Sequence, residues 1–189
     1  IQLLPPELYE MTNLTALSLK DNKIDHIGVD LLKLTHLNHL NLEGNPMAQF
    51  PREIVAKGLS QLFEYLERVS ESERSFALNL DGLGLTAVPY DIPRMTALTS
   101  ISIADNHLTQ LPDMLDLQEM TVLNLPQNQL SSLPIDFGKL TNLKSLNLRD
   151  NKLAYLPLSM ALMTNLISLD VDNNPFESPP EEVVAQGLQ

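Results

Sequence analysis

The chain has 189 residues, of which 43% are hydrophobic and none is cysteine, and its net charge is −12. It has enough apolar material for a buried core, but no run of about 18 apolar residues that could span a bilayer. The acidic charge disfavours binding to nucleic acid or anionic lipid, and the lack of cysteine excludes disulfides and thiolate chemistry. The composition therefore predicts no nucleic-acid partner, no membrane insertion and a cytoplasmic location, while secretion by a microbe stays open.

A leucine motif recurs along the chain at intervals of about 23 residues. The unit from Leu143 to Pro157 reads L-x-x-L-x-L-x-x-N-x-L-x-x-L-P, and related units begin at Leu14, Leu37, Ser75, Leu98, Met120 and Leu166. Such a period is typical of a solenoid, whose units bury their apolar edges against their neighbours. The lettering resembles the leucine-rich repeat family over nearly the whole chain. The resemblance implies an α/β solenoid arc, with a parallel sheet on the concave face and short turns or 3-10 segments on the convex side.

Each unit predicts one short strand followed by a turn at an asparagine. Alternate side chains of L-x-x-L-x-L face opposite sides, so Leu146 and Leu148 point into the core. The asparagine follows where the chain leaves the sheet, and an inward amide can satisfy buried backbone donors and acceptors together. We therefore predict a structural asparagine ladder at Asn22, Asn45, Asn106, Asn128, Asn151 and Asn174.

The chain also contains a longer repeat, because residues 1–60 align without a gap on residues 130–189, with 21 identical positions. The most specific part of the match is the run N-P…P-x-E-φ-V-A-x-G-L. In the first copy, apolar residues continue at helical spacing, which predicts a helical insertion near 51–70. This ending is similar to one that closes repeat arrays in Roco-type GTPases and in intracellular proteins of the leucine-rich-repeat-containing protein 40 type. The similarity implies architecture only, because no phosphate-binding loop G-x-x-x-x-G-K-[ST] is present.

Three segments are expected: a first array at 1–50, a helical insertion or array-closing segment at 51–74, and a second array at 75–189 that ends in a truncated closing segment. The middle segment either lets the strand at 76–81 pair beside the strand at 38–43, or caps the first array before a second one starts. Leu83 stands where other units have asparagine, which favours a fresh start. The shortness of the segment favours one continuous solenoid. The uncapped ends predict self-association.

The sequence offers no arrangement typical of an enzyme or a metal site. His36 and His39 are three residues apart, but at a strand entry such residues face opposite sides, and neither cysteine nor a third ligand is nearby. No nucleophile motif such as G-x-S-x-G occurs. We therefore predict no catalytic residue, no metal ligand and no cofactor.

The concave face is where a protein partner is expected to bind. Its outward positions form columns of mostly small polar residues, without an aromatic residue to serve as an anchor. Acids outnumber bases on this face, which favours a basic partner. The residues expected to bind it are Lys20, Glu43, Asp81, Asp105, Arg149, Asp150, Asp170 and Asp172. A solvated sheet without a binding role is the alternative interpretation.

Together these features predict a noncatalytic protein-recognition or scaffolding module of a larger protein. One alternative is the regulatory arm of a GTPase or kinase whose catalytic domain lies outside this chain. A further alternative is a secreted microbial effector or surface protein. A phosphate-binding loop after Gln189, or a signal peptide before Ile1, would distinguish these alternatives.

Overall fold

The computed structural model describes residues 2–177, which contain seven short parallel strands, one for each repeat. The strands are β1 (Ala16–Ser18), β2 (His39–Asn41), β3 (Ala77–Asn79), β4 (Ser100–Ser102), β5 (Val122–Asn124), β6 (Ser145–Asn147) and β7 (Ser168–Asp170). Their register is regular, because the central residue of each strand lies opposite the central residue of the strand to which it is paired. The predicted α/β solenoid with a parallel sheet is confirmed.

Short 3-10 helices form much of the convex side, as the proline after the second leucine of the motif predicts. They span Pro6–Glu10, Val29–Lys33, Ile92–Arg94, Phe137–Lys139 and Leu158–Leu162. Neighbouring convex segments pack closely. A Cβ atom added to Gly138 would lie 1.8 Å from the Ser159 carbonyl oxygen, so only glycine fits at that contact.

One hydrophobic core runs through the repeats. It contains the inward leucines and isoleucines of the strands and of the positions directly after them, where Leu80, Ile103, Leu125 and Leu148 are completely buried. Burying such a side chain stabilises the fold by about 1.5–3 kcal/mol. Because each coil shares its core only with the adjacent coils, stability depends on contacts between neighbouring repeats.

Two helices interrupt the array between β2 and β3. Helix α1 (Arg52–Ala56) and helix α2 (Leu59–Ser75) are joined through Gly58, whose φ of 95° is a conformation that glycine tolerates. Helix α2 therefore continues beyond the expected end near 70. Its buried residues Leu62, Tyr65 and Leu66 follow helical spacing and join the common core.

The sheet is broken where these helices insert. Strands β1 and β2 form one sheet, and β3 to β7 form another. The expected pairing of the strand near 76–81 with the strand near 38–43 is therefore wrong, because α2 packs along β3 instead. The Arg68 guanidinium donates to the Asp81 carbonyl at 3.0 Å. The core nevertheless continues through α2, so the division into 1–50, 51–74 and 75–189 stays a prediction, and the truncated closing segment lies beyond the described residues.

Candidate protein-binding surface

The asparagine ladder fixes the turns behind the concave face. At Asn128, Oδ1 accepts a hydrogen bond from the Leu108 amide at 3.0 Å, and Nδ2 donates to the Ile103 carbonyl at 2.8 Å. Both partners belong to the preceding repeat, so one amide joins two coils. The same arrangement occurs at Asn45, Asn106, Asn151 and Asn174. At the start of the array, Asn22 donates to the Leu19 carbonyl at 2.9 Å.

The first outward column after the inward leucine is occupied mainly by side chains that bond their own backbone. The Asn147 Oδ1 accepts from the Arg149 amide at 3.0 Å, and the Asp170 Oδ1 accepts from the Asp172 amide at 3.1 Å. Asn41 and Asn79 make the same bond two residues along the chain. Such local bonds are what Asn and Asp provide in turns, so Asp170 has a structural duty besides any contact with a partner.

The residues three positions after each strand share one backbone conformation and form the rim of the concave face. From the sequence they had been interpreted only as a column of outward side chains. All its members have φ between 53° and 74°, and they are Asp21, Gly44, Gly82, Asp105, Gln127, Asp150 and Asn173. Gly, Asn and Asp are the residues that tolerate this left-handed conformation. The recurrence of these three residue types in one column is the signal that could have revealed it. Asp105 and Asp150 therefore suit the turn as well as a binding surface.

Five charged residues of the concave face form two separate groups of ion pairs. Lys20 and Glu43 pair at 2.9 Å on the β1–β2 sheet. At the other end, Arg149 lies 3.3 Å from both Asp150 and Asp172. All five side chains are more than a third exposed, so each pair contributes about 0–1 kcal/mol at most.

Two further acids of this face, Asp81 and Asp105, lie between those two groups. The Asp81 carboxylate accepts hydrogen bonds from the Ser102 hydroxyl at 2.8 Å and from the Ala104 amide at 2.6 Å, and so bridges β3 and β4. Asp105 is exposed, and within residues 2–177 no ion pair includes it. The carboxylates of Asp81 and Asp105 therefore form no ion pair within residues 2–177.

The described residues offer little that resembles a chemical site. Within residues 2–177, no three His, Asp or Glu side chains are grouped so that they could hold a metal ion. The His36 Nδ1 lies 3.0 Å from the Thr12 carbonyl. Burial raises the pKa of Tyr65, whose ring packs edge-on against Phe50 in the core, away from the concave face. In the same range, no helix combines the length and apolarity that crossing a bilayer needs.

The parallel strands, inward leucines and asparagine turns define a solenoid protein whose exposed concave face is a sheet. Residues 96–153 and residues 10–32 match family models that are each described as leucine rich repeat. The chain is a leucine-rich repeat protein.

Relatives and solved structures share these repeats over only a part of their own length. The chain is 32% identical over 124 residues to the transforming growth factor beta activator LRRC32 of Pongo abelii, a match that covers 66% of the chain and 17% of that protein. It is 31% identical over 144 residues to the probable inactive serine/threonine-protein kinase roco10 of Dictyostelium discoideum, covering 76% of the chain and 4% of the kinase. A leucine-rich repeat protein of Leptospira interrogans superposes with a TM-score of 0.51 and 26% identity, covering 97% of this chain and 37% of that one.

Proposed function

We propose that this chain is a noncatalytic protein-recognition or scaffolding module that binds its partner on the concave sheet. The observation that carries the proposal is the row of mostly small residues at equivalent places in β3 to β7, which are Ala77, Ser100, Val122, Ser145 and Ser168. Small side chains let a partner approach the sheet closely. Five strands spaced by about 4.8 Å give this surface a width of about 19 Å.

The partner is basic. The supporting observation is that the carboxylates of Asp81 and Asp105, which follow β3 and β4, form no ion pair within residues 2–177. The overall charge of −12 has the same sign. Complementary charge acts mainly by steering encounter, so it raises the association rate more than it slows dissociation.

The experiment compares neutral variants of the two curved faces against the partner captured from the source cells. Asp105→Asn with Asp172→Asn removes two concave charges, and asparagine keeps the left-handed turn at position 105. Glu7→Gln with Asp136→Asn removes two charges from the convex side as a matched control. We expect the concave pair alone to slow association by about two- to tenfold at low salt, with the difference shrinking as salt rises.

Equal losses from both pairs of substitutions would mean that only the net charge matters. No loss from the concave pair would mean that this face does not contact the partner. Either result contradicts the proposal.

A second candidate is the regulatory arm of a GTPase or kinase, which the match to the Roco-type kinase supports. Sequencing the complete gene tests it, because this candidate needs a catalytic domain outside the repeats. The weaker alternative, a secreted microbial effector or surface protein, needs a signal peptide in the same sequence. The cytoplasmic location and self-association through the ends stay predictions, and sedimentation over a range of concentrations tests the second.

A further inference from the structure

The insertion of α1 and α2 leaves two sheet edges facing the helices, and the β3 edge is closed by side chains. Arg68 donates to the Asp81 carbonyl at 3.0 Å. The Ser75 hydroxyl donates to the Ala77 carbonyl at 3.0 Å and also lies 3.3 Å from the Ala77 amide, which donates to it. The amide and carbonyl of Ala77 and the carbonyl of Asp81 therefore already have partners within the chain.

The β2 edge is open. The His39 amide and the Asn41 carbonyl are bonded to β1. In a parallel ladder the residues between such positions direct their backbone groups to the opposite edge. The amide and carbonyl of Leu40 and the amide of Leu42 therefore face away from β1. In the described part of the chain, the hydrogen bonds made by α1 and α2 side chains go to other groups.

A cleft of about 540 Å³ lies in front of this open edge. Helices α1 and α2 form its opposite wall, which includes Val55, Ala56, Leu59 and Leu62. The charged side chains at its rim are already engaged within the chain. Glu43 pairs with Lys20 at 2.9 Å, and Arg52 donates to the Pro46 carbonyl at 3.0 Å. The cleft therefore combines unpaired backbone groups on one side with a mainly apolar wall on the other.

We propose that this cleft binds an extended, uncharged peptide segment of a partner protein, which adds to β2 as a further strand. Backbone donors and acceptors that repeat every two residues, about 6.6 Å apart, are matched by another extended backbone. Strand addition of this kind is a recurrent mode of peptide recognition. The apolar wall and the engaged rim charges favour uncharged side chains in the bound segment.

A single peptide strand fits this edge better than a second copy of the chain. Helices α1 and α2 line the same cleft as β2, and a single strand, which needs only about 4.8 Å beside β2, takes up less of that space than the edge of a folded copy would. The proposal does not depend on recognition by the concave face, because it is argued from the backbone groups of the β2 edge and not from the concave acids.

The probe is the capped peptide Leu-Thr-Ser-Ile-Ser-Ile, which copies residues 98–103 of the chain and carries no charge. Amide hydrogen exchange of the full chain is measured by NMR with and without saturating peptide. We expect the Leu40 and Leu42 amides to exchange at least about tenfold more slowly with peptide. The Asn41 amide, which faces β1, should change little, and a peptide methylated on its backbone nitrogens should have no effect.

A blocking variant and a matched control separate the cleft from other surfaces. Ala56→Arg places a long side chain in the cleft from an exposed position, and Ala87→Arg makes the same change at an exposed position outside it. We expect Ala56→Arg to weaken peptide binding at least about tenfold and Ala87→Arg to leave it unchanged.

Three results would overturn the proposal. The first is unchanged exchange at Leu40 and Leu42 with saturating peptide. The second is an equal effect of both arginine variants. The third is protection of those amides that rises with protein concentration without peptide, which would assign the edge to a second copy. None of these results bears on partner capture by the concave face, so the two proposals fail separately.

Discussion

Replacing Asn128 by leucine tests the ladder at one of its three buried asparagines, near the middle of the β3–β7 sheet. The side chain is 7% exposed, and its amide bonds the Leu108 amide and the Ile103 carbonyl of the preceding coil. Leucine has a similar volume but bonds neither group. An unsatisfied buried group costs about 1–3 kcal/mol, so two such groups lower the free energy of unfolding by about 2–4 kcal/mol after partial relaxation.

The assay is urea denaturation followed by circular dichroism, together with hydrogen exchange of the Leu108 amide. Asn142→Leu is the matched control, because its Nδ2 donates to the Gln118 carbonyl at 2.8 Å from an exposed position, where water can replace the lost partner. We expect that control to cost less than about 1 kcal/mol. Equal losses from the two variants, or an unchanged exchange rate at Leu108, would refute the structural role of the ladder.

Three other substitutions test the packing of the convex side and the polar contacts of the helical insertion. Gly138→Ala should lower stability by about 1–3 kcal/mol in thermal melts, because its Cβ would overlap the next convex segment. The control Gly28→Ala, at a position with open space around it, should change stability by less than about 0.5 kcal/mol. Burial raises the pKa of Glu53, but the hydrogen bonds that its carboxylate accepts outweigh burial and hold the pKa below the ordinary value. The ionised Glu53 carboxylate stabilises the fold fully above the unfolded-state pKa of about 4.3, and this stabilisation is lost as pH falls through the folded-state pKa. The difference in unfolding free energy between the natural chain and Glu53→Gln should therefore shrink on acidification through that window. A difference that grows would contradict this role of the carboxylate. Arg68→Ala should lower the free energy of unfolding by about 1.5–3 kcal/mol, because it leaves the Asp81 carbonyl beside the β3 edge without its donor. Arg74→Ala, whose ion pair is exposed, should lower it by less than about 0.5 kcal/mol. Similar losses for the two variants in urea titrations would mean that Arg68 does not seal that edge.

The strands and their register follow from sequence because leucines at fixed spacing must all face one core. The same spacing places Leu78 beside Ile101 and Leu123 beside Leu146. The polar turn was equally predictable, since asparagine at that place can bond both kinds of backbone group. These features depend on contacts between adjacent repeats, which the period itself encodes.

The break between β2 and β3 was not predictable from the period. It depends on Arg68 reaching the Asp81 carbonyl and on the Ser75 hydroxyl bonding Ala77, which are contacts between an inserted helix and a strand edge. The left-handed rim was missed for a different reason. The prediction assumed that side chains keep alternating beyond the end of each strand. The strands have only three residues, and Asp105 and Asp150 already lie in the turn. As a result, part of the acidic character that had suggested a binding surface reflects backbone geometry.

The most direct test of recognition by the concave face is methyl NMR of the full chain with its captured partner. Ala77, Ala104 and Val122 report on the concave side, and Ile135 and Leu158, which are exposed on the convex side, report on the opposite surface. We expect the partner to shift and broaden the concave methyl signals while the two convex signals stay in place. Shifts confined to Ile135 and Leu158 would contradict the account and place the binding surface on the convex side.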